Sequence, residues 1–313
     1  MATATGMDMA MTFNVKIIRP VSLLFLCYLS NPATSQQATI GGGTIQTSGW
    51  VVKPRVTFTE TLTDNVNINR SNGGEQEDLI TQIAPGVRIE ARTSRLKAYF
   101  DYALQGQFYA KTNYSRTQNS LNTFGTFEAV DKWLFFDFSC VISQQTISAF
   151  GAQSPSNSTI NNNSTETANY RISPYIRGQL GGAVEYLLRY NLSTLRSDAS
   201  VVSDTNIAEW IGQLRGGTPF QNLKWTIDAS QRSTDYSRGR DNDADRVRAL
   251  LTYTILPQFK VSVSGGQETN NYASLNQETY TTNGYGFDWN PTERTRISVF
   301  KESRFFGDGH NVS

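Results

Sequence analysis

The sequence predicts an all-β chain, an antiparallel up-and-down transmembrane β-barrel with about thirteen visible strands, from three observations. Apolar and polar residues alternate with period two along most of the chain. The strands implied by that pattern run to roughly 10–13 residues, about twice a usual globular strand and suited to a tilted membrane wall. Their connections alternate between short and long, as expected when every second turn faces the periplasm and the others face outward.

The elements follow in order. Residues 1–35 read as a signal peptide: Lys16 and Arg19 precede an apolar run from Val21 to Leu29, and Ala33-Thr34-Ser35 supplies small residues for cleavage. That run is too short to cross a bilayer as a helix. Residues 36–49, rich in Gly, Thr and Gln, are expected to form a flexible lead-in. Residues 50–313 form the barrel domain. Alternation is clearest from Leu96 to Phe108, where Leu96, Ala98, Phe100, Tyr102 and Leu104 share one face and Lys97, Asp101, Gln105 and Gln107 the other. It recurs at Val56/Phe58, Ile83/Val87/Ile89, Leu134/Phe136/Phe138/Cys140, Tyr170/Ile172/Ile176, Tyr186/Leu188/Tyr190, Trp210/Leu214 and Trp225/Ile227. Further along it marks Val247/Leu251/Tyr253, Phe259/Val261/Val263, Tyr285/Phe287/Trp289 and Ile297/Val299. Short links are expected at 92–94, 131–132, 179–182, 217–221, 256–258 and 290–292. Long ones are expected near 62–78, 109–118, 145–166, 195–205, 233–244 and 270–278.

This register turns Arg55, Arg88, Lys97, Asp101, Arg171, Arg177, Arg189, Arg246, Arg248 and Arg296 inward as candidate lumen-lining residues, with Arg215 and Arg294 beside them. Glu90, Glu128, Asp137, Glu185, Glu209 and Asp228 share that face. A charge facing lipid at the midplane would cost ~2–4 kcal/mol, so these groups must face water or protein. They suit either a cation-lined passage or a set of Arg–carboxylate ladders bracing the wall. Trp50, Trp133, Trp225 and Trp289 lie by the chain start or a short turn and are expected to form an aromatic belt at one interface.

Other chemistry is sparse. With 28 Lys and Arg against 27 Asp and Glu, no basic stripe suggests a nucleic-acid partner. A Ser-His-Asp hydrolase would have to use His310, the single histidine. Asp241, Asp243 and Asp245 mimic the opening of a calcium loop, but Arg246 stands where the turn needs Gly. Cys140 is expected to pack on the apolar face, and neither a cofactor nor a catalytic site is expected. Outer-membrane lipid is the expected partner, with polysaccharide or other envelope export components as candidates. The rival readings are an adhesive surface barrel binding glycans through its loops, and a soluble β-sandwich.

Several segments resemble a known family. They are Trp50-Val51-Val52-Lys53-Pro54-Arg55-Val56, Asp78-Leu79-Ile80-Thr81-Gln82-Ile83-Ala84-Pro85-Gly86, Leu121-Asn122-Thr123-Phe124-Gly125, Ile172-Ser173-Pro174-Tyr175-Ile176-Arg177-Gly178 and Phe306-Gly307-Asp308-Gly309-His310. As a set they resemble the PEP-CTERM system-associated outer membrane proteins of Gram-negative bacteria. The resemblance implies an outer-membrane address and an association with exopolysaccharide and exosortase loci; it supplies no catalytic residues. It also implies further strands beyond the Phe-Gly-x-Gly-His region. An odd count of thirteen would leave the strand at 294–303 unpaired in lipid, so a missing C-terminal strand is expected, with fourteen to sixteen in a complete barrel.

Overall fold

The computed structural model describes residues 36–41, 43–47, 49–67, 76–112, 114–154 and 157–313, and the expected signal peptide lies outside them. A single antiparallel sheet contains β1 (Gln36–Gly41), β2 (Ile45–Thr47), β3 (Trp50–Thr63), β4 (Asp78–Arg92), β5 (Leu96–Tyr109) and β6 (Ser115–Val130). It continues through β7 (Leu134–Thr146), β8 (Ser164–Leu180), β9 (Val184–Ser197), β10 (Thr205–Gly217) and β11 (Leu223–Tyr236). Then come β12 (Asn242–Leu256), β13 (Phe259–Asn270), β14 (Glu278–Thr292), β15 (Thr295–Arg304) and β16 (Gly307–Val312). From β3 onward each strand pairs with the next in sequence, which is up-and-down topology. Among the described residues no helix is long and apolar enough to cross a membrane.

The expected strands appear as β3 to β15, with three corrections. The lead-in is not flexible throughout: β1 and β2 both pair with β3, through a turn at Gly49, whose φ of 79° favours glycine. Their register moves by one residue between Gly41↔Arg55 and Ile45↔Val52, the mark of a bulge. Secondly, the strand at 294–303 does have a returning partner, because β16 pairs with β15 from Arg304↔Gly307 to Val299↔Val312. Gly-Asp-Gly-His carries no apolar alternation, so periodicity could not reveal it. Thirdly, the wall strands run to 17 residues in β8. Polar Thr, Ser and Asn continue the ladders past the apolar stretch, since backbone pairing needs no hydrophobic side chain. The connections at 110–114 and 237–241 shrink accordingly, while 64–77 and 147–163 stay long.

The two faces of the sheet differ in the opposite sense from a soluble protein. Paired residues share a face, so the register propagates one parity around the sheet. On one face Val56, Phe58, Ile83, Ile172, Leu188, Leu192, Ile227, Val247, Leu251 and Val263 all stand exposed. Although Lys301 and Asp308 form an ion pair on the outer side at the β15–β16 edge, the other face carries most of the charged residues of the wall. Ion pairs on that face reach over intervening strands: Arg189 of β9 meets Asp137 of β7, and Arg246 of β12 meets Glu302 of β15. Three strand steps span roughly 14 Å in a flat sheet, so the second contact requires this face to be concave. The polar face is therefore the inside of a curved wall and the apolar face its outside. Among the described residues all strands belong to this one sheet, and the two packed sheets expected of a soluble sandwich are not formed.

Candidate functional site

The concave wall is built from alternate residues of successive strands, and its charges fall into three sectors. In the first, Asp101 on β5 accepts hydrogen bonds from the Arg55 guanidinium, from Arg88 Nε and Nη2 at 3.0 and 2.8 Å, and from the Tyr99 hydroxyl at 3.0 Å. With its side chain 14% exposed, Asp101 neutralises one of two neighbouring cations and fixes both in place. In a second sector, spanning β10 to β15, most of the inward arginines are paired. Arg232 binds Glu209 through two nitrogens at 2.7 and 3.0 Å, Arg248 binds Asp228 at 3.2 Å, and Arg246 binds Glu302 at 2.7 Å. Arg304 clasps the buried Glu268 at 2.9 and 3.0 Å. This arc is an ion ladder bracing the wall.

The third sector, β6 to β9 with the start of β5, is different. Asp137 binds Arg189 at 2.8 Å and accepts from the Thr126 hydroxyl at 2.7 Å. Lys97, Arg171 and Arg177 share the face, and among the described residues none of them has a carboxylate within ion-pair distance. Aromatic rings stand between them. Tyr99 stacks on Phe124 with centroids 5.2 Å apart, and Phe135 stacks on Tyr175 at 5.0 Å. Arg177 lies 4.5 Å from the Phe135 centroid and Arg189 lies 4.1 Å from that of Tyr175, both within cation–π reach. Phe124 remains 53% exposed although it faces inward.

At the end of the wall away from the short turns, the 147–163 connection folds onto the same face. The Tyr109 hydroxyl donates to the Ser158 carbonyl at 2.5 Å, while Gln107 donates to the Asn157 carbonyl and Gln118 lies beside it. Ile160 packs against Val66, Ile80 and Tyr109. This is the apolar core cluster among the described residues, and it fixes the loop against β4 to β6. Beside it, the buried Asp78 carboxylate accepts the Lys111 and Thr112 amides, each at 2.9 Å, and closes the 110–114 turn.

The outer face completes the geometry. Trp50, Trp133, Trp225 and Trp289 all sit at the short-turn end, and Trp50, Trp133 and Trp289 are 40–43% exposed. Trp133 donates to the Tyr186 hydroxyl at 2.9 Å, and Tyr186 in turn covers Gly178, where a Cβ would come within 2.7 Å of that oxygen. Trp225 covers Gly216 in the same way and donates to the Gly217 carbonyl. Amphipathic rings at one rim of an apolar outer band are the arrangement expected at a membrane boundary. The chain is an outer-membrane β-barrel.

The sequence matches no protein-family model and no curated relative. Among solved structures it is similar to a bacterial polysaccharide outer membrane secretin, at 9% identity and TM-score 0.42, over 84% of this chain and 87% of that one. It is also similar to the trimeric outer membrane protein OmpT of Vibrio cholerae, at 8% identity and TM-score 0.35, over 89% of this chain and 94% of the other. Both scores lie below 0.5, and the fold rests on the topology and the two faces described above.

The barrel gathers the ten candidate lumen residues on one face, distributed over the three sectors. Arg296 lies at its short-turn end, 3.4 Å from Asp288. Arg215 faces inward on β10, whereas Arg294 stands in the turn between β14 and β15 instead of on the wall. Cys140 and His310 point outward, opposite Tyr170 and Lys301 respectively. Asp241 and Asp243 do not converge: the first accepts the Tyr236 amide and the second the Ser233 hydroxyl. Periodicity alone missed Phe124, Phe135, Arg232, Glu268, Glu302 and Arg304. Parity counted outward from each quoted apolar residue would have placed Phe135, the neighbour of Phe136, on the inner face.

Proposed function

We propose that the barrel is a passage or assembly component for secreted polysaccharide, of the PEP-CTERM system-associated kind that its segments resemble. The observation that supports this most directly is the concave polar wall on which Phe124 is left half exposed. Beyond its stack on Tyr99 the Phe124 ring is open to a polar interior, and a ring face is a surface on which the C–H side of a sugar can rest. Envelope export components are the partners this reading calls for, and it involves no catalytic step. Single-channel recording and liposome swelling test it: solute-permeable conductance is expected, and a barrel closed under all conditions would remove the passage.

A second reading is favoured by the 147–163 loop, which lies against the inner face at Gln107, Tyr109 and Gln118. A surface barrel with a blocked lumen would bind glycans through its outer loops. Glycan binding that disappears when this loop is cleaved, in a barrel without conductance, is the result that would select it.

A further inference from the structure

We infer that the inward face of β8, with its neighbours on β6, β7 and β9, is a binding track for an acidic saccharide chain, which rests on the passage reading and gives it a substrate class. Two hollows lie along this strand. One of about 510 Å³ is bordered by Lys97, Phe124, Asp137, Arg171 and Arg189. The other, of about 460 Å³ and nearer the short-turn end, is bordered by Lys132, Arg177, Glu185 and Arg215. Each sets three cations against one carboxylate. A third hollow of about 360 Å³ farther around the wall holds Arg246 and Arg248 against Glu209 and Asp228, and is balanced. The two hollows along β8 therefore carry a positive excess that this third one lacks.

Tyr175 stands on β8 between the two hollows, its ring held flat by Phe135 at an interplanar angle of 14° and capped by Arg189. Arg171 and Arg177 flank it, six residues or roughly 20 Å apart along the strand, a length that accommodates several sugar units. Each partner of such a polymer then has a complement. The open ring face of Phe124 suits the C–H face of a pyranose, and the side-chain amides of Asn191 and Gln179 suit hydroxyls. The guanidinium groups of Arg171 and Arg177, with no carboxylate of their own, suit repeated anionic substituents through paired hydrogen bonds. A neutral glycan would leave the cations unused, and a polyanion without sugar rings would leave the aromatic steps unused.

The test uses the full-length protein in detergent and, in parallel, in planar bilayers, with three probes: tetragalacturonate, maltotetraose and short polyglutamate. Calorimetric titration is expected to show tetragalacturonate binding tightest, weakened about tenfold or more by Arg171→Gln combined with Arg177→Gln, and weakened by Phe124→Ala. Unboiled gel migration checks that each variant folds; Phe124→Ala, whose side chain is half exposed, is the variant least able to disturb the wall. Equal binding of tetragalacturonate and maltotetraose would overturn the inference. So would equal binding of polyglutamate with no effect of Phe124→Ala, the signature of plain charge attraction. The bilayer recordings separate the two readings: binding without conductance removes the passage and keeps the track, and conductance without binding removes the track alone.

Discussion

Arginine placed at Leu188 should cost the folded barrel about 2–4 kcal/mol, and arginine placed one residue earlier, at Leu187, less than about 1 kcal/mol. The two leucines are neighbours in β9 but lie on opposite faces: Leu188 is 42% exposed on the apolar side, and Leu187 borders the inner hollow with Arg177 and Arg215. Leu188 is the fifth residue of its strand. At a tilt of about 40° each residue climbs roughly 2.5 Å, so Leu188 lies roughly 10 Å above the short-turn rim, near the middle of an apolar band about 25 Å tall. A cation there must leave water for hydrocarbon, whereas at Leu187 it meets only the repulsion of neighbouring cations across solvent. The cost of about 2–4 kcal/mol lowers the folding equilibrium by about 30-fold to 1000-fold for Leu188→Arg. Urea titration of each variant refolded into phospholipid vesicles, read by unboiled gel mobility, measures it. Equal loss in both variants, or greater loss in Leu187→Arg, would refute the assignment of faces.

Three further outcomes follow from the same geometry. Asp101→Asn leaves the Arg55 and Arg88 guanidinium groups facing one another, and should lower stability by about 1–3 kcal/mol in the same urea assay, against no change for the exposed Glu77→Gln. Replacing residues 148–162 by a short Gly-Ser link keeps the last rung, Thr146↔Ser164, and frees the inner face at Gln107 and Tyr109; the barrel should fold and its single-channel conductance should rise. In the 198–204 loop, the Arg196 guanidinium and then the Ser197 amide hold the Asp204 carboxyl below the usual carboxylate range. Its stabilising effect is thus fully present above a pH of about 4 and is lost as pH falls through the depressed value. Hydrogen-exchange protection of the Ser197 amide should be flat from neutral pH down to about 4 and fall below it, and Asp204→Ala should remove the protection at every pH.

The wall was legible in the sequence wherever one face of a strand is apolar and the other polar, as in Leu96 to Phe108, because lipid on one side and water on the other impose opposite demands on neighbouring residues. That alternation also sorted the ten charged candidates onto one face. It was silent for β16 and β1, whose sequences Gly-Asp-Gly-His-Asn-Val and Gln-Gln-Ala-Thr-Ile-Gly carry no sustained apolar alternation, and for the polar strand ends that shortened the loops. It also gave no means of choosing between ladder and free cation. Curvature brings Glu302 across two strands to Arg246 and Arg248, and among the described residues Arg171 has no acid within ion-pair distance; both facts belong to the curved wall and to no local spacing. The docking of Ser158 and Ile160 on Tyr109 was hidden for the same reason: a loop rich in Asn, Ser and Thr carries no periodic signal for where it comes to rest.

A folded membrane barrel with lipid outside and a polar lumen is heat-modifiable. Protein extracted from the outer-membrane fraction should migrate differently on a gel before and after boiling, and should resist protease only in the unboiled form. Identical migration in both states, with the exported protein recovered in solution, would contradict the account.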